Sequence, residues 1–225
     1  MKKILFVASE CVPFIKTGGL ADVCGALPKE FDKNYWDVRV VIPDYSCIPE
    51  QYRNNFEYVT HFYMSSGPYV QDKYVGVLKY EQDGITYYFI DNEYYFNRDN
   101  LYGYYDDAER FAFFSRAIME MLPYIDFHPD IIHCNDWQTA LVPVYYYLFY
   151  SKNPWYYNIK SVFTIHNIQY QGKYGWEVNT ECVGVPPTET KIIEMDGKLN
   201  MMKGAIECST RVTTVSPSYA AEIKD

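Results

Sequence analysis

The sequence predicts an α/β fold: a doubly wound, mostly parallel sheet with an inserted β-hairpin. Three observations support this. Short apolar runs alternate with stretches of helical period, an Asp-Gly turn joins two alternating segments, and the polar motifs fall just beyond the ends of the apolar runs. The first run, Ile4-Leu5-Phe6-Val7 within Met1 to Ala8, reads as a strand buried on both faces. A helix is expected from about Leu20 to Phe31, after Gly18-Gly19. Asp37 to Ile42 is a second strand, closed by Pro43. Between Phe56 and Ile90 the pattern becomes alternating, with strands over 74–80 and 85–90 around Asp83-Gly84, a pair that favours positive φ. Asp107 to Leu122 carries its apolar residues at helical spacing. Asp130 to Cys134 and Lys160 to Ile165 are further strands, the first followed by a helix from about Gln138 and the second ending at His166-Asn167. Arg211 to Val215 is a last strand. Ser216 then caps a helix with Pro217 at its first position, and that helix stops at Asp225 without a cap. Residues 1–225 are therefore expected to form one amino-terminal domain of a chain truncated near residue 225.

Composition narrows the function. A chain of 225 residues can bury about 70% of its unfolded surface and needs no covalent staples. The six cysteines are scattered without a CxxC pair, and the chain starts on a strand, which predicts free thiols and a cytoplasmic setting. No apolar run reaches the roughly 18 residues of a membrane span. The net charge of −9 opposes nucleic acid and anionic membrane surfaces as partners. The four histidines, at 61, 128, 133 and 166, show no metal-ligand spacing, so no metal and no cofactor is expected. The 25 tyrosines suit sugar faces and equally suit ordinary surface.

The chemistry-bearing segment is Lys16-Thr17-Gly18-Gly19-Leu20-Ala21-Asp22-Val23, between the first strand and the first helix. Unpaired amides of a first helical turn carry partial positive charge, glycines let oxygens approach the backbone, and Lys16 adds a full cation; a nucleotide diphosphate fits there. A plain tight turn also fits these residues. Asp136 reads either as a ligand contact or as a cap on the helix that follows it, and His166 as a functional or a hydrogen-bonded strand-end residue. His133 and Cys134 read as core. Because ligands of open α/β sheets bind beyond the strand carboxyl ends, 16–22, 133–137 and 166–172 are expected to converge on one crevice.

These residues resemble the bacterial glycogen synthase and plant starch synthase family. The match is carried by Ser9-Glu10, by Lys16 to Val23 with Gly25-Ala26-Leu27-Pro28, by His133-Cys134-Asn135-Asp136-Trp137, by Phe163 to Gly172, and by Thr214 to Tyr219. The resemblance implies the amino-terminal, acceptor-side half of a two-domain GT-B glycosyltransferase, with the carboxy-terminal nucleotide-binding domain of the same enzyme as its missing partner. It implies retaining transfer of glucose from ADP-glucose to the non-reducing end of an α-1,4-glucan, glycogen or starch, and an inactive isolated fragment. By resemblance, Asp136 and His166 are catalytic, and Lys16, Gly18, Gly19 and Asn167 bind the donor. Asp22, Tyr170, Gln171 and Gly172 contact the acceptor or shape the loop. Two departures stand out: Gln138 where the family commonly has His, and Phe96 where Tyr is frequent, both at expected acceptor contacts. The other readings are a non-catalytic glucan-binding module and a dinucleotide-dependent oxidoreductase. Against the latter stand the missing G-x-G-x-x-G and the absence of an acidic residue at the end of the second strand.

Overall fold

The apolar run β1 (Lys2–Val7) lies inside the sheet, hydrogen-bonded in parallel on both sides, which is why all of its last four residues are buried. The computed structural model describes residues 1–65 and 72–224. The other strands are β2 (Trp36–Pro43), β3 (Glu57–Met64), β4 (Lys73–Gln82), β5 (Ile85–Asp91), β6 (Ile131–Asn135), β7 (Lys160–Ile165), β8 (Lys173–Tyr174), β9 (Glu194–Met195), β10 (Lys198–Asn200) and β11 (Arg211–Thr214). Eight of them form one sheet in the order β11-β7-β6-β1-β2-β5-β4-β3, parallel from β11 through β5 and antiparallel in β4 and β3. The chain runs outward from β1 through β2 to one edge and later returns to the other side of β1 as β6. The crevice at that reversal, beyond the carboxyl ends of β1 and β6, is where an open α/β sheet binds its ligand.

The helices are α1 (Gly19–Ala26), α2 (Glu50–Arg53), α3 (Glu93–Phe96), α4 (Asp107–Tyr124), α5 (Leu141–Tyr145), α6 (Met201–Cys208) and α7 (Pro217–Glu222). The mostly parallel α/β class is as expected, as are α4, the Ser216 cap, whose side chain accepts the Tyr219 N–H, and the Asp83-Gly84 turn with φ of 54° and 72°. Asp225 and residues 66–71 of the alternating stretch lie outside the described residues.

Four differences from the expected elements have physical reasons. The first helix ends at Ala26 and tightens into a 3₁₀ turn over Leu27–Glu30, because Pro28 cannot donate. The helix after Gln138 is a 3₁₀ turn (Trp137–Thr139), then α5, then a π turn (Tyr146–Tyr150). The hairpin is an extension of the main sheet, since β5 pairs in parallel with β2. An unexpected third strand, β3, closes that edge; paired on one side only, it is largely exposed and alternates in burial only at its end, where Phe62 and Met64 face inward.

Arg110 of α4 is fully buried. Its Nε donates to the Tyr95 carbonyl and its Nη1 to the Leu101 carbonyl and to Asp107. That network holds the 97–106 loop against α4, and the loop delivers Tyr102 to the crevice. Phe96, expected at an acceptor contact, is instead fully buried beside Tyr45 and Phe114, on the core face of its short helix.

Candidate functional site

A cleft of about 940 Å³ opens at the β1/β6 reversal, and all three sequence motifs reach it. Gly18, Gly19, Asp136, His166, Asn167 and Tyr170 border it. Lys16, Asp22, Gln171 and Gly172 do not.

The β1 side is a loop closed by a carboxylate. Glu10, just past β1 and buried, accepts the Thr17 N–H at 2.5 Å and the Thr17 hydroxyl at 2.7 Å. Gly25 lets α1 pack on the loop's start, because a Cβ there would lie 2.6 Å from the Val12 carbonyl oxygen. Gly18 is the N-cap of α1 and offers no side chain to its amides. A Cβ at Gly19 would meet nothing within 4 Å, and one at Gly18 only Glu10 Oε1 at 3.7 Å. The fold itself does not demand glycine at either position; their bareness leaves room on the cleft side, where first-turn amides attract anions. Lys16 is paired with Asp22 at 2.6 Å, both side chains half exposed, so the cation is held beside the cleft by a bond worth about 0–1 kcal/mol.

The β6/β7 side is built differently. Asp136 follows β6 with φ of 57°, a left-handed conformation that costs a non-glycine residue about 1–3 kcal/mol. Its N–H donates to the Thr164 carbonyl across the strand ends, and Thr139 Oγ1 donates to its carbonyl. The carboxylate does not cap the helical turn that follows; Oδ1 accepts the backbone N–H groups of His166 at 2.7 Å and Asn167 at 3.2 Å. Burial pushes its pKa up to about 6, against the pull of those two N–H bonds, and nearby Glu10 pushes the same way. His166 Nε2 lies 2.9 Å from Asn135 Oδ1, and burial lowers the ring's pKa to about 4, so the imidazole is neutral at pH 7. His133 is also held near 4 by burial and by His166; its Nε2 meets Thr164 Oγ1 at 2.6 Å, inside the sheet.

The 167–172 loop is tied at both ends. Ile168 N–H donates to the Tyr219 hydroxyl, and the Gln171 and Gly172 carbonyls accept the first N–H groups of α6. Gln171 Nε2 donates to the Ile168 carbonyl and its Oε1 accepts from Asn200, so the side chain braces the loop. Gly172 has φ of 63°, and a Cβ there would come within 2.7 Å of Trp137. Among the described tyrosines, Tyr102 and Tyr170 alone border the cleft, so the other described ones belong to core and surface.

The sequence reading missed Glu10, Tyr102, Gly103 and Asp107 as cleft residues, while Thr17 of the 16–22 segment borders the cleft as expected. Glu10 had the same signal as Asp136, a carboxylate immediately after a buried strand. Tyr102 and Gly103 had none, since they are brought in by the buried Arg110. Gln138 does border the cleft; it is 8% exposed, and its Oε1 has no hydrogen-bond partner among the described residues. No helix among the described residues is long and apolar enough to cross a membrane.

Residues 3–225 match the family model described as the starch synthase catalytic domain. The glycogen synthase of Lachnospira eligens is 51% identical over 228 residues, covering all of this chain and 47% of that protein. The glycogen synthase of Bacillus cytotoxicus is 51% identical, covering 98% and 46%. Among solved structures, the catalytic domain of starch synthase IV from Arabidopsis thaliana, bound to ADP and acarbose, superposes with a TM-score of 0.85 at 30% identity, covering all of this chain and 47% of that one. The chain thus spans about half the length of the curated relatives it matches.

Proposed function

From the premise that the chain belongs to the starch synthase catalytic-domain family, we propose that it is the acceptor-side half of a retaining glucosyltransferase that extends an α-1,4-glucan from ADP-glucose. Its Rossmann-like, mostly parallel sheet is that of one half of a GT-B enzyme. A carboxy-terminal domain of the same enzyme is the partner that completes the cleft and holds most of the nucleotide. The observation that carries this reading is the meeting of bare first-turn amides, at Gly18 and Gly19, with a strained, buried carboxylate and a neutral histidine, at Asp136 and His166, in one cleft.

In this reading the amides of Gly18 and Gly19 lie along the donor diphosphate, and Lys16 leaves Asp22 to add a charge-assisted bond to it. Asp22 acts as a loop-shaping residue. Glucose sits against Asp136 and His166. As the bond from the anomeric carbon to phosphate oxygen breaks, positive charge develops on that carbon, and the His166 carbonyl and the Asp136 carboxylate stabilise it. The departing phosphate takes the proton of the acceptor hydroxyl, which forms the new bond on the same face. Retention therefore needs no carboxylate nucleophile about 5 Å from an acid. Asn167 and Tyr170 flank the sugars, while Gln171 and Gly172 hold the loop in place. Gln138 sits on the acceptor side.

The test joins this chain to the carboxy-terminal half of the Lachnospira eligens enzyme and follows radiolabelled glucose from ADP-glucose into glycogen. The joined enzyme is expected to transfer glucose and the separate chain to give only blank counts, because the donor site lacks its second wall. A folded, ADP-binding joined enzyme with no more transfer than its Asp136→Ala variant would reject the proposal.

A further inference from the structure

Asn135 is the last residue of β6, 1% exposed, and every polar group it carries is committed. Its N–H donates to Thr139 Oγ1 at 2.7 Å, and its carbonyl accepts from the same hydroxyl at 2.9 Å. Its side-chain Nδ2 donates to the Val7 carbonyl at 3.1 Å and to the His133 carbonyl at 3.2 Å, which ties β6 to the end of β1. Carbonyl oxygens only accept. Turning the amide over would set Oδ1 against two carbonyls, so the orientation is decided by the surroundings. Oδ1 therefore points the other way, at His166 Nε2, 2.9 Å distant.

An amide oxygen cannot donate, so the proton in this bond belongs to the histidine. The other ring nitrogen, Nδ1, then carries a lone pair. Nδ1 has no hydrogen bond among the described residues and is not among the buried atoms left without a partner, while His166 borders the cleft. We propose that Asn135 is a positioning residue that locks His166 in the Nε2–H tautomer and presents Nδ1 to the cleft as a hydrogen-bond acceptor. The group it suits is a ligand hydroxyl, which has a proton to give; a phosphate oxygen or a carboxylate has none and is repelled. That the hydroxyl belongs to a sugar rests on the glucosyl-transfer reading. The ring stays an acceptor at neutral pH because burial keeps it unprotonated.

This device differs from the Asp136 contact on the same residue. Asp136 holds the His166 backbone through its N–H, whereas Asn135 holds the ring. A partner bonded to one ring nitrogen, which fixes which nitrogen carries the proton, is the usual way a protein makes a histidine one-sided.

The experiment is a proton–nitrogen correlation spectrum of the histidine rings in the 225-residue chain, at pH 7 and without ligand. His166 is expected to show an unprotonated Nδ1 and a protonated Nε2 whose hydrogen exchanges slowly. In the Asn135→Ala chain that exchange should quicken at least about tenfold, in line with the loss of one hydrogen bond, and the Nδ1–H form should become visible. A wild-type spectrum with His166 protonated on Nδ1 would overturn the proposal, whether or not the variant folds. So would a folded Asn135→Ala chain with the wild-type tautomer and exchange rate. The spectrum needs no substrate, so its failure leaves the glucosyl-transfer reading standing, and an inactive joined enzyme leaves the tautomer standing.

Discussion

The two walls of the cleft are made on opposite principles. On the β6/β7 wall, Asp136, Asn135 and His166 are buried or half-buried, the first two bonded to backbone groups of neighbouring strand ends and His166 bonded to both of their side chains, with Asp136 held in a strained conformation. On the β1/α1 wall, Gly18 and Gly19 present bare amides, and the nearby cation is a half-exposed Lys16 paired with Asp22. The strand-end wall is braced from within the fold, whereas the glycine wall leaves its amides open toward the cleft. Preorganisation counts where charge changes during reaction, while an exchangeable surface pair suits a group that must enter and leave.

The largest effect should come from breaking the preorganised wall at its charge. In the joined enzyme, Asp136→Asn keeps an oxygen for the His166 N–H and removes the negative charge. It should lower kcat by about 10²–10³-fold with little change in the donor KM, as loss of a fixed electrostatic contact does. A parallel drop in thermal midpoint with normal turnover of the folded fraction would make Asp136 structural instead.

Lys16→Ala attacks the other wall and should separate the two by kind of effect. Loss of a charge-assisted contact to phosphate costs about 1.5–3 kcal/mol, roughly ten- to a hundredfold in kcat/KM for the donor. The exposed pair with Asp22 contributes little to folding, so the thermal midpoint should hold. Unchanged donor kinetics with a raised glucan KM would take Lys16 out of the donor site.

Gly172→Ala tests how far the strand-end wall leans on its loop. The positive φ and a Cβ within 2.7 Å of Trp137 should together cost about 1–3 kcal/mol of stability, read by urea unfolding of the chain. A neutral result would show that Trp137 yields freely. The smallest change is expected for Gln138→Leu, which removes a buried amide oxygen that has no partner. Stability should rise slightly or stay within about 0.5 kcal/mol. A loss above about 1 kcal/mol would mean that the amide is bonded in solution.

The contrast between walls also explains what could be read in the sequence. Buried parallel strands announce themselves as apolar runs, and their polar successors mark the site, so the sequence alone brings Gly18, Gly19, Asp136 and His166 together. The acid at Glu10 obeyed the same rule and was overlooked. A motif does not show that two of its members pair with each other, as Lys16 and Asp22 do beside the cleft. Gln171 and Gly172 fell outside the cleft because their roles, a brace to Asn200 and a fit against Trp137, depend on α6, whose Asn200 cap was the one available sign of that helix. The two-residue strands β8 and β9 are too short to carry a period. Phe96 lies in the core instead of at the expected acceptor contact, and Tyr102, which carries no sequence signal, reaches the cleft, because a buried arginine bonded to backbone carbonyls sets the path of that loop.

The most direct measurement of the preorganised wall is the pH profile of kcat in the joined enzyme. Asp136 is raised by burial from 3.8 to about 6, and His166 is lowered by burial from 6.5 to about 4. Below its pKa the Asp136 carboxyl is neutral and cannot stabilise positive charge, so activity should fall as pH drops through about 6. The limb belongs to the carboxyl and not to the imidazole. It should therefore persist in His166→Gln and vanish in Asp136→Asn, whose residual activity should be flat from pH 5 to pH 7. A limb near 6 that survives Asp136→Asn, or one that disappears with His166→Gln, would contradict the account.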